Sequence, residues 1–118
     1  MKKDNDELKI IMDEYARFVY KITKKFPREE NFGITSQLRR SALSVILNYI
    51  EGYARINLTK SYANFLTNSY GSLKESKYLL YFSFIEKYLS EKDYRQGLGL
   101  ADNIGKMLWG LIKKIKNK

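Results

Sequence analysis

The chain has no cysteine and no histidine, and only one proline among its 118 residues. Without cysteine it can form no disulfide, thiolate nucleophile or zinc finger. Without histidine it also lacks the commonest general base and metal ligand. The Glu-x-x-His pairs of carboxylate-bridged di-iron bundles cannot be built from it either. No uninterrupted apolar run approaches the roughly 18 residues of a membrane-spanning helix, and the opening MKKDNDELK has no signal-peptide core, so the expected address is the cytoplasm. Acidic residues are scarce: 13 Asp and Glu face 22 Lys and Arg, a formal charge of +9. A surplus of that sign favours polyanions, nucleic acid above all, because each phosphate contact releases condensed counterions.

What is present points to helices. Hydrophobic residues make up 44% and charged residues 30%, and no linker, repeat or low-complexity segment interrupts them. The expectation is one all-α domain over residues 1–118, an up-down-up-down four-helix bundle with its own core. In the first helix, residues 5–25, Leu8, Ile11, Met12, Tyr15, Phe18, Val19 and Ile22 recur at steps of three and four. Asp4 or Asn5 is its expected cap, and Pro27 forbids continuation. Thr35, after Gly33, reads as the N-cap of the second helix. Asn57 or Thr59 reads as the cap of a third, predicted to run from about 59 to 89. Ser90-Glu91-Lys92-Asp93 resembles a capping box that opens the fourth.

Two helices carry more than one face. On the second, Leu38, Ala42, Val45, Ile46, Tyr49 and Tyr53, extended by Leu43, Leu47, Ile50 and Ala54, form an arc of roughly half the circumference, wider than a surface helix needs. Opposite lie Gln37, Ser41, Ser44, Asn48, Gly52 and Arg55, a small, hydrogen-bonding stripe. It suits a seam inside the bundle, a subunit interface or a ligand contact. The third helix has a core face (Tyr62, Phe65, Leu66, Ser69, Leu73, Leu80, Phe84, Tyr88) and a second stripe of Gly71, Tyr78, Phe82, Ile85 and Leu89. A lone bundle needs only one stripe, so the second predicts a homo-oligomer interface. Gly71 is expected to permit close backbone approach there.

In the predicted topology Lys21, Lys24, Lys25, Arg28, Arg39, Arg40, Lys92 and Arg95 meet at one end, the best candidate surface for phosphates. Lys2, Lys3, Lys60 and the tail lysines Lys113, Lys114, Lys116 and Lys118 fall at the other. No catalytic motif joins the remaining carboxylates Glu30, Glu51 and Glu75 to a partner, so the chain reads as a non-enzyme with no cofactor and no metal site.

The stretch FPREENFGITSQLRRSALSVILNYIEGYAR resembles the bacterial four-helix-bundle family named after proteins encoded in 23S rRNA intervening sequences. The matching positions are Phe26, Pro27, Glu30, Phe32, Gly33, Thr35, Gln37, Arg39, Arg40, Ser44, Asn48, Glu51, Gly52 and Arg55, with Phe65-Leu66 and Gly71-Ser72-Leu73-Lys74-Glu75 further on. Where that family carries a proline this chain has Ile46, so the second helix is expected to run straighter. The tail IGKMLWGLIKKI resembles the accessory variability proteins of diversity-generating retroelements, which share the fold. The resemblance implies a basic homo-oligomer, a pentamer, with a nucleic-acid-related role, and no known catalytic activity. The leading expectation is a module that binds structured RNA or DNA through backbone phosphates. The alternative is a scaffold that recruits a protein such as a reverse transcriptase.

Overall fold

A computed structural model describes residues 2–117, with side chains from Glu7 onward. It consists of four α-helices: α1 Lys2–Thr23, α2 Ile34–Tyr53, α3 Thr59–Ile85 and α4 Glu91–Lys116, with one 3-10 turn, Arg28–Glu30, between α1 and α2. Each helix packs its backbone against two neighbours, α1 on α2 and α4 and α3 on α2 and α4, while the diagonal pairs meet only through side chains. That is the up-down-up-down bundle the periodicity predicts, elongated to 45 × 25 × 19 Å by its long helices. One apolar core runs its length, from Leu8 and Ile112 at one end to Phe26 and Leu89 at the other.

A hydrogen bond spans the α1–α3 diagonal. The buried Tyr15 hydroxyl of α1 lies 2.7 Å from Ser76 Oγ of α3, and Ser76 also donates to Leu73 O. Burial pushes the Tyr15 phenol up to about 12, against the smaller opposing effect of the Ser76 bond.

Several boundaries differ from the sequence expectation. Helix α1 begins at Lys2, so Asp4 and Asn5 lie inside it, and their side chains are outside the described residues. It ends at Thr23 because the chain tightens into three-residue turns up to Phe26 before the proline. Thr35 is not the cap of α2. Gly33 holds that position, and the Thr35 hydroxyl is buried without a hydrogen-bond partner. Leu58, with no capping side chain, precedes α3 in place of Asn57 or Thr59. Helix α3 stops at Ile85, four residues early, where Lys87 takes a left-handed conformation with φ 66°. Lys87 N–H then donates to Phe84 O and Tyr88 N–H to Ser83 O, the paired bonds of a Schellman end. Ser90 caps α4 as expected, its Oγ accepting from Asp93 N–H at 3.1 Å. Helix α2 runs unbroken through Ile46.

Candidate nucleic-acid interface

The corner between α1 and α2 is held by side chains that look unrelated in the sequence. Phe26 is buried, with its ring 5.6 Å from that of Tyr88. The Tyr88 hydroxyl donates to Glu30 Oε2 at 2.9 Å, and Glu30 Oε1 accepts from Ile34 N–H at 3.3 Å. Glu30 thus caps α2 from the preceding turn, and its charge lies favourably at a helix N-terminus. A Cβ on Gly33 would fall 2.6 Å from Glu30 Oε1, so glycine leaves the carboxylate its place. The Glu30 bond is the main reason the Tyr88 phenol is held above its ordinary value, with burial and the charges of Glu30, Glu86 and Glu29 adding to it. Phe32, at the tip of this corner, is 99% exposed.

Arg39 belongs to the clasp rather than to the open surface. Its Nε donates to Thr23 Oγ1 at 2.8 Å, its Nη2 donates to Tyr20 O at 3.4 Å, and its guanidinium lies 4.6 Å from the centre of the Tyr20 ring. Thr23 in turn donates to Val19 O. Arg39, expected as a phosphate contact, ties α2 to the carbonyl end of α1, since a carbonyl and a ring face hold a guanidinium well.

The other cations of this end are exposed. Lys21 and Lys24 line a groove of about 400 Å³ between α1 and α2, with Arg17, Tyr20 and Leu43. Arg17, Lys21 and Lys24 succeed one another at steps of four and three, the spacing that would have added Arg17 to the predicted set. Arg17 also pairs with Asp13 at 2.9 Å, a solvated contact of little worth. Lys25, Arg28 and Lys92 are exposed, while Arg95 is bonded to Glu91 at 2.8 Å. Arg40 lies around the side of α2, in a shallow groove with Leu47, Asn48 and Glu51. Lys87, exposed at the end of α3, joins this end, a position hidden while the helix was expected to continue.

The polar stripe of α2 faces α3 over most of its length. Ser44 and Ser72 hydroxyls lie 2.7 Å apart, Ser69 Oγ donates to Val45 O at 2.6 Å, and Ser41 Oγ donates to Leu38 O. Asn48 donates to Ser44 O and Oγ, within its own helix. A Cβ on Gly52 would come 3.0 Å from Phe65 Cβ. Arg55 pairs with Glu51 and lies 4.8 Å from the centre of the Phe65 ring. Gln37, at the top of the stripe, is exposed. The second stripe of α3 is open: Tyr78 is 61% exposed, Phe82 and Ile85 are exposed with it, and nothing lies within 4 Å of a Cβ built on Gly71. Within the protomer Gly71 therefore makes no close approach. Leu89, expected on this stripe, is buried in the core because the left-handed turn at Lys87 swings it inward.

Among the described residues no group of three acidic, histidine or cysteine side chains could hold a metal ion, and no helix is long and apolar enough to cross a membrane.

The family model of the 23S rRNA-intervening sequence protein matches residues 8–110, which takes in all the capping and clasp residues above. The chain belongs to that family. A crystal structure of a protein of unknown function from the S23 ribosomal protein family of Bacteroides thetaiotaomicron superposes with a TM-score of 0.81. It is 22% identical in sequence, and the match covers 93% of this chain and 98% of that one, a likeness of fold. No curated protein matches the sequence.

Proposed function

We propose that this protein is a non-enzymatic, basic homo-oligomer, a cytoplasmic pentamer, that binds structured RNA or DNA through backbone phosphates at the α1–α2 corner. One observation carries the reading: Lys21, Lys24, Lys25, Arg28, Lys87 and Lys92 stand exposed at one end, on a corner braced by the Arg39 and Glu30 contacts. Flexible lysines on a rigid support contact phosphates without reading sequence. The family's name and the net charge of +9 point the same way. Five copies would carry 5 × 9 = +45, so modest contacts would accumulate into avidity.

The test is electrophoretic or anisotropy binding over a salt series. Replacing Lys24, Lys25, Arg28 and Arg40 together with Gln is expected to weaken binding. The slope of log K against log salt should become shallower by up to about 3–4. Replacing Lys113, Lys114, Lys116 and Lys118, the last outside the described residues, should cost less. A larger loss from the tail variant identifies the wrong end, and no binding by the parent at low salt removes the reading.

A second reading has its own observation. The open row of Tyr78, Tyr81, Phe82 and Ile85 on α3, with rings 6.3 and 6.4 Å apart, is an apolar surface with nothing over it in the protomer. It suits either the oligomer contact or recruitment of a protein such as a reverse transcriptase. Light scattering separates them: a folded 13.9 kDa monomer in dilute solution leaves the row to a different protein.

A further inference from the structure

The groove between α3 and α4, on a different surface from the corner, has a composition the proposed phosphate contact does not explain. Its wall is the Tyr70–Trp109 pair, ring centres 5.3 Å apart and planes at 37°. Trp109 is 47% exposed, although an indole of that size ordinarily finds cover. Lys74 Nζ lies 5.5 Å from the centre of the Tyr70 ring, and Lys106 stands on the rim. Neither has an ion-pair partner among the described residues. Lys77 and Asp102 neutralise each other at 2.8 Å within the groove. The space measures about 310 Å³, within the range of ordinary small-ligand clefts, roughly 300–1,000 Å³.

Its floor is Gly105. A Cβ there would sit 3.5 Å from Leu73 Cδ2, an ordinary contact. Packing therefore does not demand glycine, although glycine in mid-helix costs roughly 1 kcal/mol against alanine. Gly97, two turns earlier, differs: its Cβ would meet Leu80 and Phe18 at 3.1 Å. Glycine at 105 keeps the groove deep beside the rings.

We propose that this groove is a stacking site for a base of single-stranded nucleic acid, the Tyr70–Trp109 pair against the base and Lys74 and Lys106 against the flanking phosphates. Aromatic faces beside uncompensated cations are how proteins hold single strands, because every base offers a π face and every linkage a charge. An acidic peptide would satisfy the lysines and leave the rings unused. A strand is favoured over a free nucleotide because the cations continue beyond the groove: Lys113 follows Trp109 by four residues on α4, as Lys106 precedes it by three, and both are exposed.

Trp109 is the chain's one tryptophan and reports on its own site. The experiment titrates the protein with a labelled eight-nucleotide oligoadenylate, following both label anisotropy and Trp109 emission, with heparin, adenosine monophosphate and oligoglutamate as comparisons. Oligoadenylate should quench Trp109 saturably, with the midpoint seen by anisotropy, and heparin should bind without quenching. Tyr70→Leu, which removes a ring, and Gly105→Leu, which fills the floor, should each weaken oligoadenylate binding on the order of tenfold while heparin binding holds. A parent-like cooperative thermal transition in each variant shows that the fold survives, and retained heparin binding shows that the phosphate surface does.

Oligoadenylate bound with no change in Trp109 emission overturns the stacking site and leaves the phosphate surface standing. Binding of neither polyanion removes both. Quenching by adenosine monophosphate at the same midpoint overturns the strand, and equal quenching by oligoglutamate overturns base recognition. Emission already shielded from acrylamide in the free protein means that a second copy covers the groove, which also overturns it.

Discussion

Gly52 and Gly105 lie in two interhelical seams whose small residues read alike in sequence and mean opposite things in space. In the α2–α3 seam a Cβ on Gly52 would come within 3.0 Å of Phe65 Cβ, and the flanking serines bond across to Ser72 and to the Val45 carbonyl. In the α3–α4 groove a Cβ on Gly105 would find ordinary contact, and the flanking residues are aromatic rings and lysines with solvent between them. One glycine lets two backbones close, with the hydroxyls satisfying what they bury. The other leaves open a space that a side chain would enter. A glycine in a helix becomes informative only when what faces it is known.

The strongest way to break this contrast is Gly52→Leu. Its side chain would have to displace Phe65 and Tyr62, and the variant is expected to lose about 1–3 kcal/mol or more in urea unfolding. Parent-like stability would mean that the seam yields and the two glycines are equivalent.

A smaller effect concerns Ser76, on the inner side of α3 and bonded to Tyr15. The folded Tyr15 phenol is raised to about 12, while the unfolded one titrates near the ordinary value of 10.0. Below pH 10 both states keep the proton and the full stability is present. As pH rises from 10 to 12 the unfolded chain releases it first, so stability falls by as much as roughly 2–3 kcal/mol. Tyr15→Phe should cost about 0.5–1.5 kcal/mol at pH 8, through the lost bond. That deficit should shrink and reverse above pH 11, and urea midpoints of both proteins at pH 8 and pH 11.5 check it. A deficit constant with pH would show that the phenol reaches water.

The smallest effect has the opposite sign. Gly105→Ala should raise the thermal midpoint, with a gain of up to about 1 kcal/mol from helix propensity, because its methyl meets Leu73 without crowding. A destabilised variant would place Gly105 in the same class as Gly52.

Legibility followed the range of the interaction. The core face of α1 was plain because burial at steps of three and four is written in consecutive turns, and Ser90 was plain because its bond closes three residues away. The end of α3 was hidden. Left-handed helix ends ordinarily carry glycine, and Lys87 takes φ 66° without one, at a cost of roughly 1–2 kcal/mol. The cap of α2 was hidden too, since Thr35 fits the local pattern and Glu30 supplies the bond from outside the helix. At the candidate surface, the clustering of Lys21, Lys24, Lys25, Arg28 and Lys92 followed from helix order alone. The withdrawal of Arg39 into contact with Tyr20 and Thr23 did not, because nothing in Arg39-Arg40 says which guanidinium meets a carbonyl.

By itself the sequence determined four helices, their inner faces, their alternating direction and the excess of positive charge, since these depend on periodicity, chain breaks and composition. Tertiary structure decided which small residues close a seam and which leave a groove, which arginine is bound and which is free, and that Tyr70 and Trp109, 39 residues apart in the sequence, share one wall. Those outcomes turn on ångström-scale distances between side chains of different helices, set by the rotation of each helix about its own axis. A helical period alone leaves that rotation open.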